Sequence, residues 1–566
     1  MKQDLKMTNG EVYAMKKLEV MLERQLSDED MISYPDFEGM WSRIEQADHA
    51  MPQGISSAES AGSYRRRSWR KVTVAASLGL LLAAAPVYAA IQHDWGNLLH
   101  GKEGIQTALS QNLGQQLGQS VTIDGVTMTL RTAIVDDNRT VILYSLEAGA
   151  EADGQFWNLQ ELSLKDEHGK SSEGEYTYLQ WDDVNSRYNG YFESDWTPQK
   201  SEAAVTLTAT AVQSFTYAEQ DIQLDIGSQA LQRFPVGQEG MQTLEVQPFV
   251  QSEDKLLLSS AVIFDQPEAK DWTFPQIIAY RNGNEIRSLP GGTFGTPGDN
   301  GEYTMRQTFN TAAVPAGDTA YKLQYTKLAQ NITGPWSFDL KLSKQQMESG
   351  TVKIDLNQPL EPGDTANTIE NMIITPTQIR VSIRVNGDYP QIPYYKYALE
   401  VDGRTLEGSQ YRSPKDEPKL MTMRFERPAD LEVTPETPVT FVGSYKVTTH
   451  SEDKTPLQLT DISAEKQSII RDTGGYPVKW TYYMEGNDLY VETESENARF
   501  GGVNQTHINL GKDRIIGRPV TINFAADGNN KAIDVYKDFK GTEASIYMFY
   551  YTTDEPERET RVQLQP

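Results

Sequence analysis

The sequence predicts a mainly β protein: tandem β-sandwich ectodomains after one transmembrane helix, with a short α-helical segment inside the cell. Three observations predict it. Short runs of alternating apolar and polar residues, rich in Val, Ile, Thr and Tyr, recur from residue 121 onward between Gly, Asn, Asp and Pro turns. A single uncharged run of 20 residues occupies 72–91, directly behind a cluster of arginines. Helical periodicity is confined to the residues before that run and to a short stretch after it.

At 566 residues the chain exceeds what one compact core serves, and predicts roughly three to five units of about 100 to 200 residues each. Apolar content of 38% and 28 tyrosines suffice for several cores and argue against disorder over most of the length. The charge is uneven. Residues 1–71 hold 11 Lys+Arg against 12 Asp+Glu, or −1, leaving 41 against 67, or −26, for residues 72–566. Such acidity argues against direct nucleic-acid binding, because phosphate backbones would be repelled.

The leader, residues 1–63, reads as a cytoplasmic helical segment and linker. Val12, Met15, Leu18, Leu22 and Leu26 recur at three- and four-residue spacing, with Lys16, Lys17, Glu19, Glu23 and Arg24 on other sides. A second amphipathic stretch starts at Asp36, a candidate N-cap, and carries Phe37, Met40, Trp41 and Ile44 on one stripe. Residues 49–63 turn to Gly, Ser, Ala, Pro and Gln, as linkers do. Two such short helices enclose little core. They fit either a self-packed hairpin or a helix-in-groove ligand for a cytoplasmic partner.

Residues 64–71 form a basic juxtamembrane stretch with Arg65, Arg66, Arg67, Arg70 and Lys71. The run at 72–91 that follows would span ~30 Å as a helix, the thickness of a bilayer core. The positive-inside rule then places the N-terminus in the cytoplasm and the C-terminal region outside the cell membrane, with Trp69 and Trp95 at headgroup depth. The competing expectation is a signal sequence cleaved after Ala89, since Val87-Tyr88-Ala89 is a small-x-small pattern.

After the span, Ile105, Leu109, Leu113 and Leu117 at four-residue spacing predict a membrane-proximal helix over 94–118. From Val121 the period changes to two: Val126, Met128 and Leu130 alternate with Thr127, Thr129 and Arg131 behind an Asp124-Gly125 turn. The same grammar, punctuated by turns such as Asn282-Gly283 and Asp402-Gly403, divides into sandwiches at 119–235, 236–357, 358–470 and 471–566.

The sequence carries little visible chemistry. It contains no cysteine, which excludes disulfides, thiolate metal sites and a cysteine nucleophile. Its six histidines are far apart, and no GxSxG, P-loop or HExxH pattern occurs. No enzyme, metal or cofactor is expected. Asp136-Asp137 and Asp182-Asp183 fit turn aspartates better than calcium ligands. The aromatic clusters EYTYLQW, SRYNGYFESDW, PYYKYAL and YMFYY suit carbohydrate platforms or, more often in sandwiches, core and cross-strand pairs.

The leader ending RRRSWRKV, the span, GQSVTIDGVTMTLRTAIVDDNRTVILYSLE and the later NITGPWSFDLKL resemble a family of single-pass membrane proteins of Gram-positive spore-forming bacteria. Its members are often encoded beside extracytoplasmic-function sigma factors, and ENMIITPTQIRVSIRV resembles the start of the Ig-like module that commonly follows. The resemblance covers about half of the chain and implies tandem Ig-like β-sandwich ectodomains and an anti-sigma-factor-like role. Cytoplasmic helices would hold a sigma factor through Leu18, Leu22, Phe37, Trp41 and Ile44, while the outer domains sense the envelope or meet an extracellular protein or wall partner. The leader lacks the Cys and His set of zinc-containing anti-sigma factors, so these contacts would be apolar and ionic. The alternative is a cell-surface binding or structural protein, in adhesion or wall and carbohydrate contact, with no signalling role.

Overall fold

The computed structural model describes Trp95 and residues 98–565, apart from 150–153, 177–178, 253, 291, 299–300, 364–365, 387–391, 412–416, 418, 429, 452–454, 511–512 and 521–528. The leader, the basic stretch and the uncharged run at 72–91 lie outside the described residues. Among the described residues no helix is long and apolar enough to cross a membrane. Antiparallel sheets dominate, as the alternating pattern predicts.

Of the helix expected over 94–118, the structure has Glu103–Ser110, with Ile105, Ala108 and Leu109 buried. Asn112 takes a left-handed backbone (φ 54°) that turns the chain out of the helix, and a strand begins at Gln115. Leu117 then packs on a sheet core rather than continuing the helical stripe. Trp95, expected at headgroup depth, is instead buried at 4% exposure. It clusters with Leu98, Leu99, Ile105, Ile134, Val141, Leu143 and Met347, because the first sheet offers it an apolar outer face.

That first sheet runs Gln115–Ile123, Val126–Val135, Thr140–Glu147, Arg187–Ser194 and Glu175–Tyr176. Asp124 and Gly125 both have positive φ (48° and 83°), the geometry a two-residue hairpin needs to match strand twist. Val126, Met128 and Leu130 point into the core, as their alternation predicts. A bulge between Leu130 and Thr132 then shifts the register, so that Ile134 joins the cluster around Trp95. Thr140–Glu147 is therefore buried on both faces.

Two very long strands, Glu202–Ile222 and Ala320–Ser343, pair along their length from Glu202↔Ser343 to Ile222↔Tyr321. One end supplies Val205, Leu207, Trp336, Phe338 and Leu340 to the first core. The other supplies Ile222, Tyr321, Leu323 and Tyr325 to a second core, closed by the sheet containing Met241–Ser252, Lys255–Phe264 and Tyr303–Asn310. The arrangement recurs downstream. Val439–Ser451 pairs with Ala544–Gln565, whose first residues Ala544, Ile546 and Met548 fill one core while Val562 and Leu564 pack into another around Ile383, Phe425 and Phe441. Each fully buried Leu, Val, Ile, Phe or Met side chain contributes about 1.5–3 kcal/mol, so strands shared between cores fasten them firmly.

Candidate functional site

The turn joining Val126–Val135 to Thr140–Glu147 carries Asp136, Asn138 and Arg139, all fully buried. Asp136 Oδ1 accepts the backbone N–H groups of Asn138 (2.8 Å) and Arg139 (3.0 Å), which shapes the turn. Its Oδ2 accepts the hydroxyl of Thr377 (2.5 Å), more than 200 positions away in sequence. Arg139 spends all five of its donors. Nε reaches Thr377 Oγ1 (3.1 Å), Nη1 reaches Glu193 Oε1 (2.9 Å) and Glu426 Oε1 (2.7 Å), and Nη2 reaches Glu426 Oε2 (2.9 Å) and the Thr377 carbonyl (3.0 Å). Lys102 Nζ completes Glu193 at 2.8 Å.

Around this centre Asp195 holds Arg380 (2.6 Å) and Arg424, and Asp137 holds Lys344 (2.6 Å) and Lys353 (3.1 Å). Burial alone would raise the Glu193 carboxyl, but Arg139 and Lys102 beside it hold it at about 2. Burial likewise opposes the Arg139 charge, and Glu193 and Glu426 outweigh it, so the guanidinium stays ionised. The whole is a buried ionic joint between the first sheet and the strands beside Gln378–Val385. At its fully buried centre every donor of Arg139 is matched, while Asn138 Oδ1 and Arg380 Nε are left without a partner among the described residues. Asp136 and Asp137 are thus a turn and joint pair. Asp182 likewise accepts the N–H groups of Val184 and Asn185 (both 3.1 Å) within its own turn. Among the described residues no group of three or more His, Asp or Glu is placed to hold a metal ion.

An open site lies elsewhere, where the two long strands pass between cores. A cleft of about 370 Å³ is lined by Phe156, Phe215, Tyr217, Phe274, Phe294 and Tyr303, with Asn158, Gln276, Gln324 and Thr326 as polar groups. Its volume falls in the range of small-molecule sites, about 300–1,000 Å³. Phe156 of Gln155–Gln160 stacks on Phe215 (5.4 Å between ring centres) and on Tyr217 (4.9 Å). Five of the exposed large hydrophobic residues among those described are aromatic, and three of them, Tyr217, Phe274 and Phe294, line this cleft. Phe274 holds a left-handed backbone (φ 38°, ψ 54°) directly before Pro275, a conformation costing about 1–3 kcal/mol for a bulky residue. That backbone turn carries its ring to the cleft, where it is 45% exposed.

A polar chain fixes the amides. Gln276 Nε2 donates to Gln324 Oε1 (2.8 Å), and Gln324 Nε2 donates to Glu219 Oε1 (3.2 Å). Tyr280 (2.6 Å) and Lys322 (2.9 Å) also donate to Glu219. The hydrogen bond to Glu219 pushes the Tyr280 hydroxyl up to about 12. No lining side chain carries a charge, and no acid or base stands beside a nucleophile there. The arrangement suits binding.

Sequence reading does not reach this cleft. Its rings come from seven scattered positions, 156, 215, 217, 274, 294, 303 and 325, and none belongs to the four aromatic clusters. In those clusters Tyr188, Phe192, Tyr394 and Tyr397 are buried, Tyr547, Phe549, Tyr550 and Tyr551 are half-buried, and Tyr176 and Tyr395 are exposed. The expected partner stripe Leu18, Leu22, Phe37, Trp41 and Ile44, and the topology residues Arg65, Arg66, Arg67, Arg70 and Lys71, lie outside the described residues.

Residues 64–148 match a domain of unknown function, DUF4179. The match runs from the basic stretch through the uncharged run to the end of Thr140–Glu147 and includes the Arg139 turn. No curated protein matches the chain. Among solved structures, a conserved domain protein from Bacillus anthracis is 12% identical over 56% of this chain and 90% of its own, with a TM-score of 0.16, too remote a likeness to carry an argument.

Proposed function

We propose that this chain is a single-pass cell-membrane regulator. Its cytoplasmic leader would hold an extracytoplasmic-function sigma factor, as an anti-sigma factor does, and its external Ig-like β-sandwiches would bind an envelope ligand in the aromatic cleft. One observation carries the coupling. Lys102, eleven positions beyond the end of the uncharged run, is fixed to Glu193, and Gly104 sits where a Cβ would lie 1.9 Å from the Thr377 carbonyl. The chain leaving the membrane would thus be held by the joint that binds the first sheet to the strands around residue 378. A shift among the β cores would act on the span through that attachment.

Affinity capture of the full chain from membranes of its source organism tests this reading. A sigma factor should be recovered, and Leu18→Asp with Trp41→Ala should release it. Recovery of no sigma factor, or equal recovery after deletion of residues 1–60, would refute it. The accessible cleft by itself favours a second reading, a surface binding protein without signalling, and full function after that deletion would select it.

A further inference from the structure

The geometry points to a neutral saccharide as the ligand of the aromatic cleft, an inference that rests on reading the cleft as the binding site of the external region. Charge comes first. No lining residue is ionised, although the chain from residue 72 onward carries −26. An anionic ligand would meet no lysine or arginine in the cleft and would enter against the field of an acidic protein. A cation would find no carboxylate in the lining to offset its desolvation. The ligand is neutral.

The polarity of the amide chain then selects among neutral ligands. The Glu219 carboxylate only accepts, so the Gln324 amide must turn its NH₂ toward Glu219 and its carbonyl toward Gln276. Gln276 in turn must donate its NH₂ to Gln324. Its own carbonyl oxygen is left without a partner among the described residues, and a ligand that satisfies it must bring a donor. A proline-rich peptide, the frequent guest of aromatic grooves, offers carbonyls and no prolyl N–H. A pyranose offers hydroxyls at its edge that both donate and accept, and a face of C–H bonds that packs on an aromatic ring. Tyr217, Phe274 and Phe294 supply exposed ring surface from three separate segments, and Asn158 supplies a third amide beside Gln276 and Gln324. A cleft of about 370 Å³, near the lower limit of small-molecule sites, fits one or two such rings rather than a long glycan.

The test uses the full chain in lipid nanodiscs and saturation-transfer NMR with three neutral disaccharides: cellobiose, maltose and N,N′-diacetylchitobiose. At least one should bind, and Tyr217→Ala and Gln276→Met should each weaken it about three- to tenfold. Tyr217 is 60% exposed and stacks on Phe156, so its removal should lower the melting temperature by only a few degrees and leave the fold intact. Binding that survives both substitutions would overturn the assignment to this cleft. Binding of none of the three would overturn the saccharide class. In that case a polyproline decapeptide whose binding is lost in Tyr217→Ala would keep the cleft as a site while replacing its ligand. Sigma-factor capture is read independently, so failure here and failure of the regulator reading remain distinct.

Discussion

At the residue scale, Glu193 shows how a buried charge is held. Removing a carboxylate from water is costly, and the cost is met here by Arg139 at 2.9 Å and Lys102 at 2.8 Å, not by solvent. Its carboxyl is held at about 2, below its ordinary 4.5, so its contribution to stability is complete above pH 4.5 and is lost as pH falls toward 2. In urea unfolding, the wild-type chain should lose on the order of 3 kcal/mol more than Glu193→Gln between about pH 5 and pH 2. Parallel pH profiles for the two proteins would show that the joint does not stabilise through this group. Sequence reading recognised the turn at Asp136 and Asp137 from residue type alone, since a short acidic side chain caps its own backbone. It did not mark Arg139, because one arginine after two aspartates looks like a solvated surface turn. Only the arrival of Thr377, Glu193 and Glu426 makes it a core residue.

At the element scale, local pattern and tertiary contact compete visibly at the helix Glu103–Ser110. Ile105 and Leu109 on its buried stripe were legible from spacing, but Ala108 and the end of the helix were not. Leu113 and Leu117 continue the four-residue period although Asn112 has already turned the chain. Gly104 records the same competition. Alanine is the better helix former by about 1 kcal/mol, yet a Cβ there would meet the Thr377 carbonyl at 1.9 Å. Gly104→Ala should therefore lower stability by about 1–3 kcal/mol and speed hydrogen exchange across 103–110. A raised melting temperature would show that the helix is not held against Thr377. In the strands, alternation at Val126, Met128 and Leu130 reads correctly because a pleat has only two faces. It fails as a guide for Thr140–Glu147, where both faces are covered.

For the whole molecule, the four largest cores among the described residues close into a circuit. Glu202–Ile222 and Ala320–Ser343 join the first to the second, and Val439–Ser451 with Ala544–Gln565 joins the third to the fourth. Phe249 and Leu257 meet Tyr483 and Tyr490 between the second and fourth, and Arg139 closes the first to the third. Arg139→Met should cost about 3–5 kcal/mol, because it leaves the buried Glu193 with Lys102 as its remaining cation and takes the bidentate partner from half-buried Glu426. Combined with Phe249→Ala, it weakens both side-chain contacts at once. Small-angle scattering should then show a larger radius of gyration for the double variant than for either single one. An unchanged radius would mean that the shared strands and the ion pairs of Asp195 and Asp137 hold the circuit without Arg139 and Phe249. The sequence by itself determined the β class, the hairpin turns and which residues of many strands are apolar, because those depend on steric and solvation preferences acting over a few neighbours. Tertiary structure alone decided which core each end of a long strand enters, which arginine is buried, and that seven scattered aromatic residues meet in one uncharged cleft. Those outcomes depend on contacts between residues tens to hundreds of positions apart, and periodicity along the chain carries no record of them.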